Sequence, residues 1–271
     1  MAAKGEIALA AGTDKNRKNV VQIRPTADAN RQLPLLPIEL DAAMSAPAGS
    51  ADLKKIVRGR DSHYYALKST AEHPLLPATE FLCYKLAQAC SVPTPMGAIL
   101  ITPERDYCFG SRWESSSSEL SVIGPTAVLE RYQSCRFVIS ATLAFDLFIG
   151  NDDRHMNNFV FRLTYEDKLA ALAIDFSRAF LIRGFPADPF PVGADSNTRL
   201  TINSRKRDNT WDSPSAVITV DAIRSIKTDH LHHWIKEMPD SWLPSRQRDE
   251  LLTWWGGEGF RNRLNKLLSL L

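Results

Sequence analysis

The chain has 271 residues, of which 44% are hydrophobic and 24% are charged, and its formal net charge is +2. Such a chain can bury a substantial core, either as one large domain or as two smaller lobes. The nearly balanced charge indicates no polyanionic partner, so we expect no direct binding to nucleic acid. No apolar run approaches the roughly 20 residues that cross a bilayer, so we expect no membrane partner.

The cysteines give no sign of a disulfide framework or a zinc site. The chain contains four of them, at Cys83, Cys90, Cys108 and Cys135. They form no Cys-x-x-Cys pair, and no Cys/His cluster has zinc-ligand spacing. The Ala-rich start of the chain also lacks the long apolar centre of a signal peptide. We therefore expect a protein that resides in the reducing cytoplasm.

The sequence predicts a flexible arm at the N-terminus, followed by a loop of small residues. Residues 1–35 mix alanine with polar and charged residues without sustained periodicity, which is typical of a flexible N-terminal arm. Residues 44–51 are small and rich in turn formers, so their backbone N–H groups could approach a phosphate. Because the segment matches neither G-x-G-x-x-G nor G-x-x-x-x-G-K-[ST], an ordinary loop is the favoured interpretation.

Two strands and a helix are predicted next. The strands lie at residues 53–57 and 64–68, and the second ends at Lys68. Apolar residues at helical spacing predict a helix over residues 78–90, with Glu80 in its first turn. Taken singly, Lys68 is typical of an exposed surface, and Glu80 of a helix N-terminus, where the macrodipole favours a carboxylate.

After this helix, the sequence pattern predicts a strand and then a mainly helical second half of the chain. Two prolines end the helix, and residues 96–101 are expected to form a buried strand. Residues 127–148 contain regularly spaced apolar residues and no proline, which predicts one or two helices. Prolines between residues 186 and 191 predict a long irregular loop, and the chain from residue 217 onward is helical in pattern.

A polar segment lies between two apolar runs, at residues 151–158, with the sequence NDDRHMNN. Because Asp, Asn, Arg and His are mostly exposed, their enclosure by core-forming residues indicates a loop held in place by a packed scaffold. The alternative is a simple helix-ending turn at Gly150, because Asn and Asp readily bond their own backbone. Residues 158–162 and 169–175 then predict a hairpin, and Asp175 lies where the second strand ends.

These polar residues permit phosphoryl transfer. Asp153 and Asn158 are five residues apart on one loop, so they can supply a carboxylate and an oxygen ligand to one site. The hairpin can return Asp175 beside Asn158, and such hard oxygen ligands favour Mg²⁺, with Mn²⁺ possible. The protein-kinase catalytic loop has the same Asp-to-Asn spacing, with its metal-binding Asp on the hairpin beyond.

The same residues resemble a known family. The segment 151–158, followed by AIDF at residues 173–176, is similar to the D-R-H-x-x-N loop and I-D segment of the HipA-type serine/threonine kinases. The strand end at Lys68, the helix start TEFL at 79–82 and the helix exit VPTP at 92–95 also resemble that family. The parts occur in matching order from about residue 45 to about residue 260.

The resemblance implies an α+β, two-lobed, protein-kinase-like fold. After the arm of residues 1–35, residues 36–112 would form a small sheet-containing N-lobe that binds the nucleotide. Residues 113–271 would form a mainly helical C-lobe that carries the catalytic loop. The implied activity is ATP- and Mg²⁺-dependent transfer of the γ-phosphate to a Ser or Thr hydroxyl, of a protein substrate that the sequence does not name.

The resemblance also implies roles for individual residues. Asp153 would be the catalytic base or the carboxylate that orients the hydroxyl. Asn158 and Asp175 would be the magnesium ligands. Lys68 would pair with the phosphates of ATP, and Glu80 would be the helix partner that fixes Lys68.

Four further residues are interpreted as supports or modification sites. Arg154 and His155 invert the order of the common H-R-D loop, so we interpret both as structural, with His155 as a hydrogen-bonded core imidazole. Ser45 and Ser50 are candidate sites of autophosphorylation, because the corresponding loop of this family can be mobile and autophosphorylated.

The sequence also leaves other interpretations of its partner and function. The chain is shorter than full-length HipA toxins, and we expect it to lack their N-terminal accessory subdomain, which leaves an antitoxin partner uncertain. A lipid or other small-molecule kinase is one alternative, although no polybasic stretch supports the lipid version. A pseudokinase that serves as an interaction module is another. The joint presence of Lys68, Asp153, Asn158 and Asp175 argues against it.

Overall fold

Five strands near the start of the described chain form a closed barrel in the order β1-β2-β3-β5-β4. The computed structural model describes residues 36–43, 56–113, 118–119, 124–164, 166–183 and 192–271. The barrel strands are β1 (Ile38–Ala43), β2 (Ile56–Gly59), β3 (Tyr64–Lys68), β4 (Gly97–Ile101) and β5 (Tyr107–Arg112). Expectations for the N-terminal arm, the small-residue loop with Ser45 and Ser50, and the proline-rich loop fall outside the described residues.

Barrel closure depends on one parallel pairing. Neighbouring strands are antiparallel except for β1 and β4, which run parallel with Ile38 opposite Leu100. Side chains along β3 alternate between the two faces of the strand, so Tyr65 and Leu67 are buried in the barrel core. The strand ends at Lys68. The strand predicted at residues 53–57 is observed as Ile56–Gly59, so its described part extends beyond the predicted end.

Helix α1 (Leu76–Ala89) packs against the barrel and begins earlier than predicted. Pro77 lies in its first turn, where the fixed φ of proline suits a helix and its missing N–H costs no hydrogen bond. Glu80 therefore lies in the second turn, and the helix has no acidic residue in its first turn. The prediction of Glu80 in the first turn is wrong, and the alternative explanation by the macrodipole does not apply, because this side chain is buried and pairs with Lys68.

A long helix and a small sheet follow. Helix α2 (Pro125–Ile149) is one uninterrupted helix, and Gly150 ends it with a left-handed backbone, at a φ of 75°. The second sheet has the order β6-β7-β8, formed by Ser118–Glu119, Phe159–Leu163 and Leu169–Ala173. The last two strands are the predicted hairpin. The helix-ending turn at Gly150 and the scaffold-held polar loop thus both occur, one after the other.

Five helices complete the described chain: α3 (Asn197–Arg207), α4 (Ser213–Ser225), α5 (Thr228–Glu237), α6 (Ser245–Gly256) and α7 (Glu258–Leu268). The last four confirm the helical pattern predicted from residue 217, and Trp255 is buried in the core. Helix α3 was not predicted. Within the described residues, no helix is both long and apolar enough to span a membrane.

Candidate active site

Three charged side chains from separate elements meet at the end of strand β3. The ammonium nitrogen of Lys68 lies 3.3 Å from Oε1 of Glu80 and 3.0 Å from Oδ1 of Asp175. The backbone N–H of Phe176 donates to the same Glu80 oxygen at 3.1 Å. The structure therefore brings Lys68, Glu80 and Asp175 together, although 107 residues separate the first from the last.

The electrostatics of this cluster follow from burial and pairing. Burial disfavours the charge on Lys68, but Glu80 and Asp175 outweigh it and raise the pKa of Lys68. Burial also tends to raise the pKa of Asp175, yet Lys68 and hydrogen bonds from Ser177 lower it to about 2. Burial raises the pKa of Glu80 in spite of Lys68. The cluster holds two carboxyl groups against one ammonium, which suits a site for a cation.

Asp175 itself has an uncommon backbone conformation. It lies two residues beyond the end of β8, and its φ of 59° is in the left-handed region. Asp adopts this region more readily than most residues, because its short polar side chain can bond the local backbone. Here its Oδ1 accepts from the backbone N–H of Ser177 at 3.1 Å. This local turn carries the carboxylate out of the hairpin and towards Lys68.

Arg154 is the structural centre of the polar loop, as predicted for a support. It is fully buried, and its guanidinium makes a two-point contact with the carboxylate of Asp146 on α2, at 2.7 Å from Nε and 3.1 Å from Nη2. Its remaining donor, Nη1, bonds the backbone carbonyls of Asn158 at 2.7 Å and of Ile174. A buried guanidinium requires such complete pairing, because an unpaired buried charge is costly.

Two aromatic rings complete the surroundings of this arginine. The guanidinium carbon lies 5.4 Å from the ring centre of Phe159 and 5.0 Å from that of Phe176. Arg154 therefore ties helix α2, the polar loop and the segment before Asp175 into one unit. His155 does not share this burial. It is partly exposed, so the prediction of a core imidazole is wrong.

Asp153 is held through each of its polar groups. Its Oδ1 accepts from Nδ2 of Asn197 at 2.6 Å, and its Oδ2 lies 3.3 Å from Nε of Arg178. Its backbone N–H donates to Oδ1 of Asn151 at 3.3 Å. The side chain of Asp153 is 27% exposed, so the carboxylate is fixed in orientation and still reachable from solvent.

Asn158 lies between Asp153 and the hairpin that leads to Asp175. Its Nδ2 donates to the backbone carbonyl of Asp153 at 3.0 Å. Its own carbonyl accepts from the backbone N–H of Ile174, the residue before Asp175, at 3.1 Å. One side-chain and one backbone hydrogen bond thus link Asn158 to Asp153 and to the start of the Asp175 segment.

Helix α3 supports the loop from the other side, and sequence reasoning missed it. The hydroxyl of Thr198 donates to the carbonyl of Asn151 at 2.7 Å and accepts from the N–H of Arg154 at 2.9 Å. The hydroxyl of Thr201 donates to the carbonyl of Arg154 at 3.1 Å. Ser196 could have indicated the start of this helix in the sequence, because its side chain caps the helix by accepting from the N–H of Arg199.

Asp146 was also missed, although the sequence carried a signal for it. It is an acidic residue inside the apolar run that precedes Gly150, on a helix that packs in the core. A carboxylate in such a position needs a buried cation, and Arg154 is eight residues away. Burial raises the pKa of Asp146, and Arg154 and Asn151 oppose that shift.

The described residues contain no group of three or more His, Cys, Asp or Glu side chains that could hold a metal ion by themselves. A metal at this site would therefore need oxygen ligands of another kind, such as an amide, water or the phosphates of a nucleotide.

Comparison with known proteins identifies the fold. No protein-family model matches the chain, and no curated protein sequence matches it. The Helicobacter pylori proinflammatory kinase CtkA aligns with a TM-score of 0.54 and 10% identity, over 88% of this chain and 97% of that chain. HipA of the Shewanella oneidensis MR-1 toxin-antitoxin system, solved with HipB and operator DNA, aligns with a TM-score of 0.44 and 12% identity, over 87% of this chain and 67% of that chain. The match to CtkA gives this chain the fold of a kinase, as the resemblance to HipA-type kinases implies.

Proposed function

We propose that this chain is a kinase that transfers the γ-phosphate of ATP to a Ser or Thr hydroxyl, with a protein as the substrate. The observation that carries the proposal is the contact of Lys68 with both Glu80 and Asp175, at 3.3 Å and 3.0 Å, in a chain with a kinase fold. Residues 36–112 would serve as the N-lobe and residues 113–271 as the C-lobe.

Lys68 is suited to hold the phosphates of ATP. An ammonium group has three N–H donors, and Glu80 and Asp175 account for two of them. The third can bond a phosphate oxygen, and the two carboxylates keep the ammonium in a single position. The raised pKa of Lys68 keeps it charged at neutral pH.

Asn158 and Asp175 fit a magnesium ion. Because Nδ2 of Asn158 donates to the carbonyl of Asp153, the amide oxygen is the atom left to act as a ligand. The low pKa of Asp175, about 2, keeps its carboxylate ionised. Mg²⁺ is commonly held by one or two carboxylates together with substrate phosphates, so a full protein cage is not needed. When bound, Mg²⁺ or Mn²⁺ would neutralise charge on those phosphates.

Asp153 is suited to accept the proton of the substrate hydroxyl. The hydroxyl oxygen attacks the γ-phosphorus, and the new O–P bond forms as the bond to the β–γ bridging oxygen breaks. ADP leaves with the electron pair of the broken bond, and the hydroxyl proton passes to the Asp153 carboxylate. Asn197 fixes one oxygen of that carboxylate, so the group is oriented before the substrate arrives.

Transfer of labelled γ-phosphate from ATP tests the proposal. We expect the wild-type protein to label itself or casein when Mg²⁺ is present, and chelation of the metal to abolish the labelling. Asp175→Ala should lower the activity by roughly 10²-fold or more, because it removes a proposed metal ligand and one of the two carboxylate partners of Lys68. Full activity in Asp175→Ala would contradict the metal assignment.

The same assay separates the alternatives. Labelling of lipid vesicles or small alcohols instead of protein would favour a lipid or small-molecule kinase. Binding of ATP without any transfer would favour the pseudokinase interpretation.

A further inference from the structure

Arg178 contacts the carboxylate that the proposed reaction uses as its base. Its Nε lies 3.3 Å from Oδ2 of Asp153, and its side chain is 60% exposed. The other carboxylate oxygen is held by Asn197 at 2.6 Å. The oxygen of Asp153 that a substrate hydroxyl would approach therefore has an exposed guanidinium beside it.

Arg178 lies between the residues proposed to bind ATP and the carboxylate proposed to accept the hydroxyl proton. It follows Asp175 by three residues, and Asp175 is bonded to Lys68, the proposed phosphate ligand. Phe176, between them, is buried with its ring 5.0 Å from the guanidinium of Arg154, which fixes the path of this segment. The segment thus runs from the nucleotide side of the site, at Lys68, to the hydroxyl side, at Asp153.

Transfer of a phosphoryl group in line requires that group to lie between these two sides. Its negative charge spreads over the equatorial oxygens in the transition state, and a guanidinium stabilises that charge well because it is planar, always protonated and able to form two parallel hydrogen bonds. Arg154 is unsuited to this task, because Asp146 and two backbone carbonyls engage its donors in the core. Arg178 is exposed and can turn.

We infer that Arg178 is a further catalytic residue of the proposed kinase. In the free enzyme it pairs with Asp153, and during transfer its guanidinium turns to the oxygens of the migrating phosphoryl group. Arg178 gains and loses no proton; it balances charge while the hydroxyl O–P bond forms and the bond to ADP breaks. This inference rests on the proposed function, because it assigns a role within that reaction.

Substitution of Arg178 tests the inference through the split between kcat and KM. We expect Arg178→Ala to lower kcat by roughly 10²-fold or more, with the KM for ATP within about threefold of wild type. Arg178→Lys should recover part of the rate, since it keeps the charge and loses the two-point geometry. Free guanidinium at non-denaturing concentration should restore part of the activity of Arg178→Ala. A merely structural role would not produce this rescue.

Arg246→Ala is the matched control. Arg246 is 89% exposed on α6 and pairs with Glu250, so its loss should leave the rate unchanged and insensitive to guanidinium. A second readout needs no turnover. The wild type should bind ADP with Mg²⁺ and aluminium fluoride, which mimics the transition state, more tightly than ADP alone, and Arg178→Ala should lose that difference.

The outcomes separate the two claims. If the wild type transfers phosphate and Arg178→Ala transfers it at the same kcat, or only with a raised KM for ATP, the inference is overturned and the proposed function stands. If the wild type transfers none, the proposed function fails, and this inference fails with it.

Discussion

Arg154 carries a full charge in the core, and its partners explain why the polar loop keeps its shape. Its guanidinium joins the carboxylate of Asp146 and two backbone carbonyls on either side of the hairpin. The removal of one partner from a buried ion pair leaves the other charge without compensation, which costs more than the pair itself contributes. The geometry around Asp153 and Asn158 therefore depends on a residue that would not itself touch a substrate.

Arg154→Met should lower the free energy of unfolding by about 3 to 5 kcal/mol, because it leaves Asp146 buried and unpaired. Urea denaturation followed by circular dichroism would measure this change. The double variant Arg154→Met/Asp146→Leu should be less destabilised than the single one, since no buried charge remains. Arg246→Met, at an exposed position, is the control. A loss below about 1 kcal/mol in Arg154→Met would contradict the account.

The pairing of Lys68 with Asp175 predicts that the stability of the protein depends on pH. Because the folded protein lowers the pKa of Asp175 from 3.8 to about 2, this carboxylate stabilises the fold above the unfolded pKa, and that contribution is lost as the pH falls towards 2. The difference in unfolding free energy between wild type and Asp175→Asn should therefore narrow by roughly 2 kcal/mol between about pH 5 and pH 2. Both proteins should carry Glu80→Gln, because Asp175 contributes to the raised pKa of Glu80, whose titration shifts stability in the opposite direction. A constant difference across this range would show that Asp175 is not held by Lys68.

At the scale of elements, helix α1 is anchored on two sides. Glu80 faces Lys68, while Lys85 forms an ion pair with Glu237 of α5 at 2.7 Å, with only 4% of its side chain exposed. The ring of Phe81 packs against Trp242, with ring centres 6.0 Å apart. The C-terminal helices therefore contribute to the position of the helix that carries Glu80.

Glu237→Gln should destabilise the protein by about 3 kcal/mol, because it leaves the ammonium of Lys85 buried without its carboxylate. It should also weaken ATP binding, since a shift of α1 moves Glu80 away from Lys68. Calorimetry gives the affinity and chemical denaturation the stability. Glu250→Gln removes an exposed partner of Arg246 and should change neither. Wild-type ATP affinity in a folded Glu237→Gln protein would show that this ion pair does not position the site.

The elements found from sequence are those with strong local patterns. Strand β3 was predicted at its observed bounds, because its residues alternate between buried and exposed faces. The hairpin of β7 and β8 was predicted because two apolar runs flank a short polar link. Helix α3 was missed because its composition is polar, with few buried residues, and its role is to hydrogen-bond the loop rather than to fill the core. Helix α1 begins at Leu76 and not at residue 78 as predicted, because Pro77 is well suited to a first helical turn.

At the scale of the whole molecule, the contacts that assemble the site are non-local. The parallel pairing of Ile38 with Leu100 closes the barrel, and no local pattern specifies such closure. The pairing of Lys68 with Glu80 was expected only through the resemblance to a family, since each residue has an ordinary explanation when taken alone. The contact of Asp175 with Lys68 was not predicted. The contacts of Asn197 and Arg178 with Asp153 depend on the path of the chain after the hairpin, which residue spacing does not reveal.

Asp153 is proposed to serve phosphoryl transfer in a chain with a kinase fold. The most direct measurement compares labelled γ-phosphate transfer and ATP binding in the wild type, Asp153→Asn and Asp240→Asn, an acidic control that is 96% exposed. We predict that the wild type and Asp240→Asn transfer phosphate, while Asp153→Asn binds ATP and loses roughly 10²-fold or more in rate. Transfer by Asp153→Asn at the wild-type rate would contradict the account.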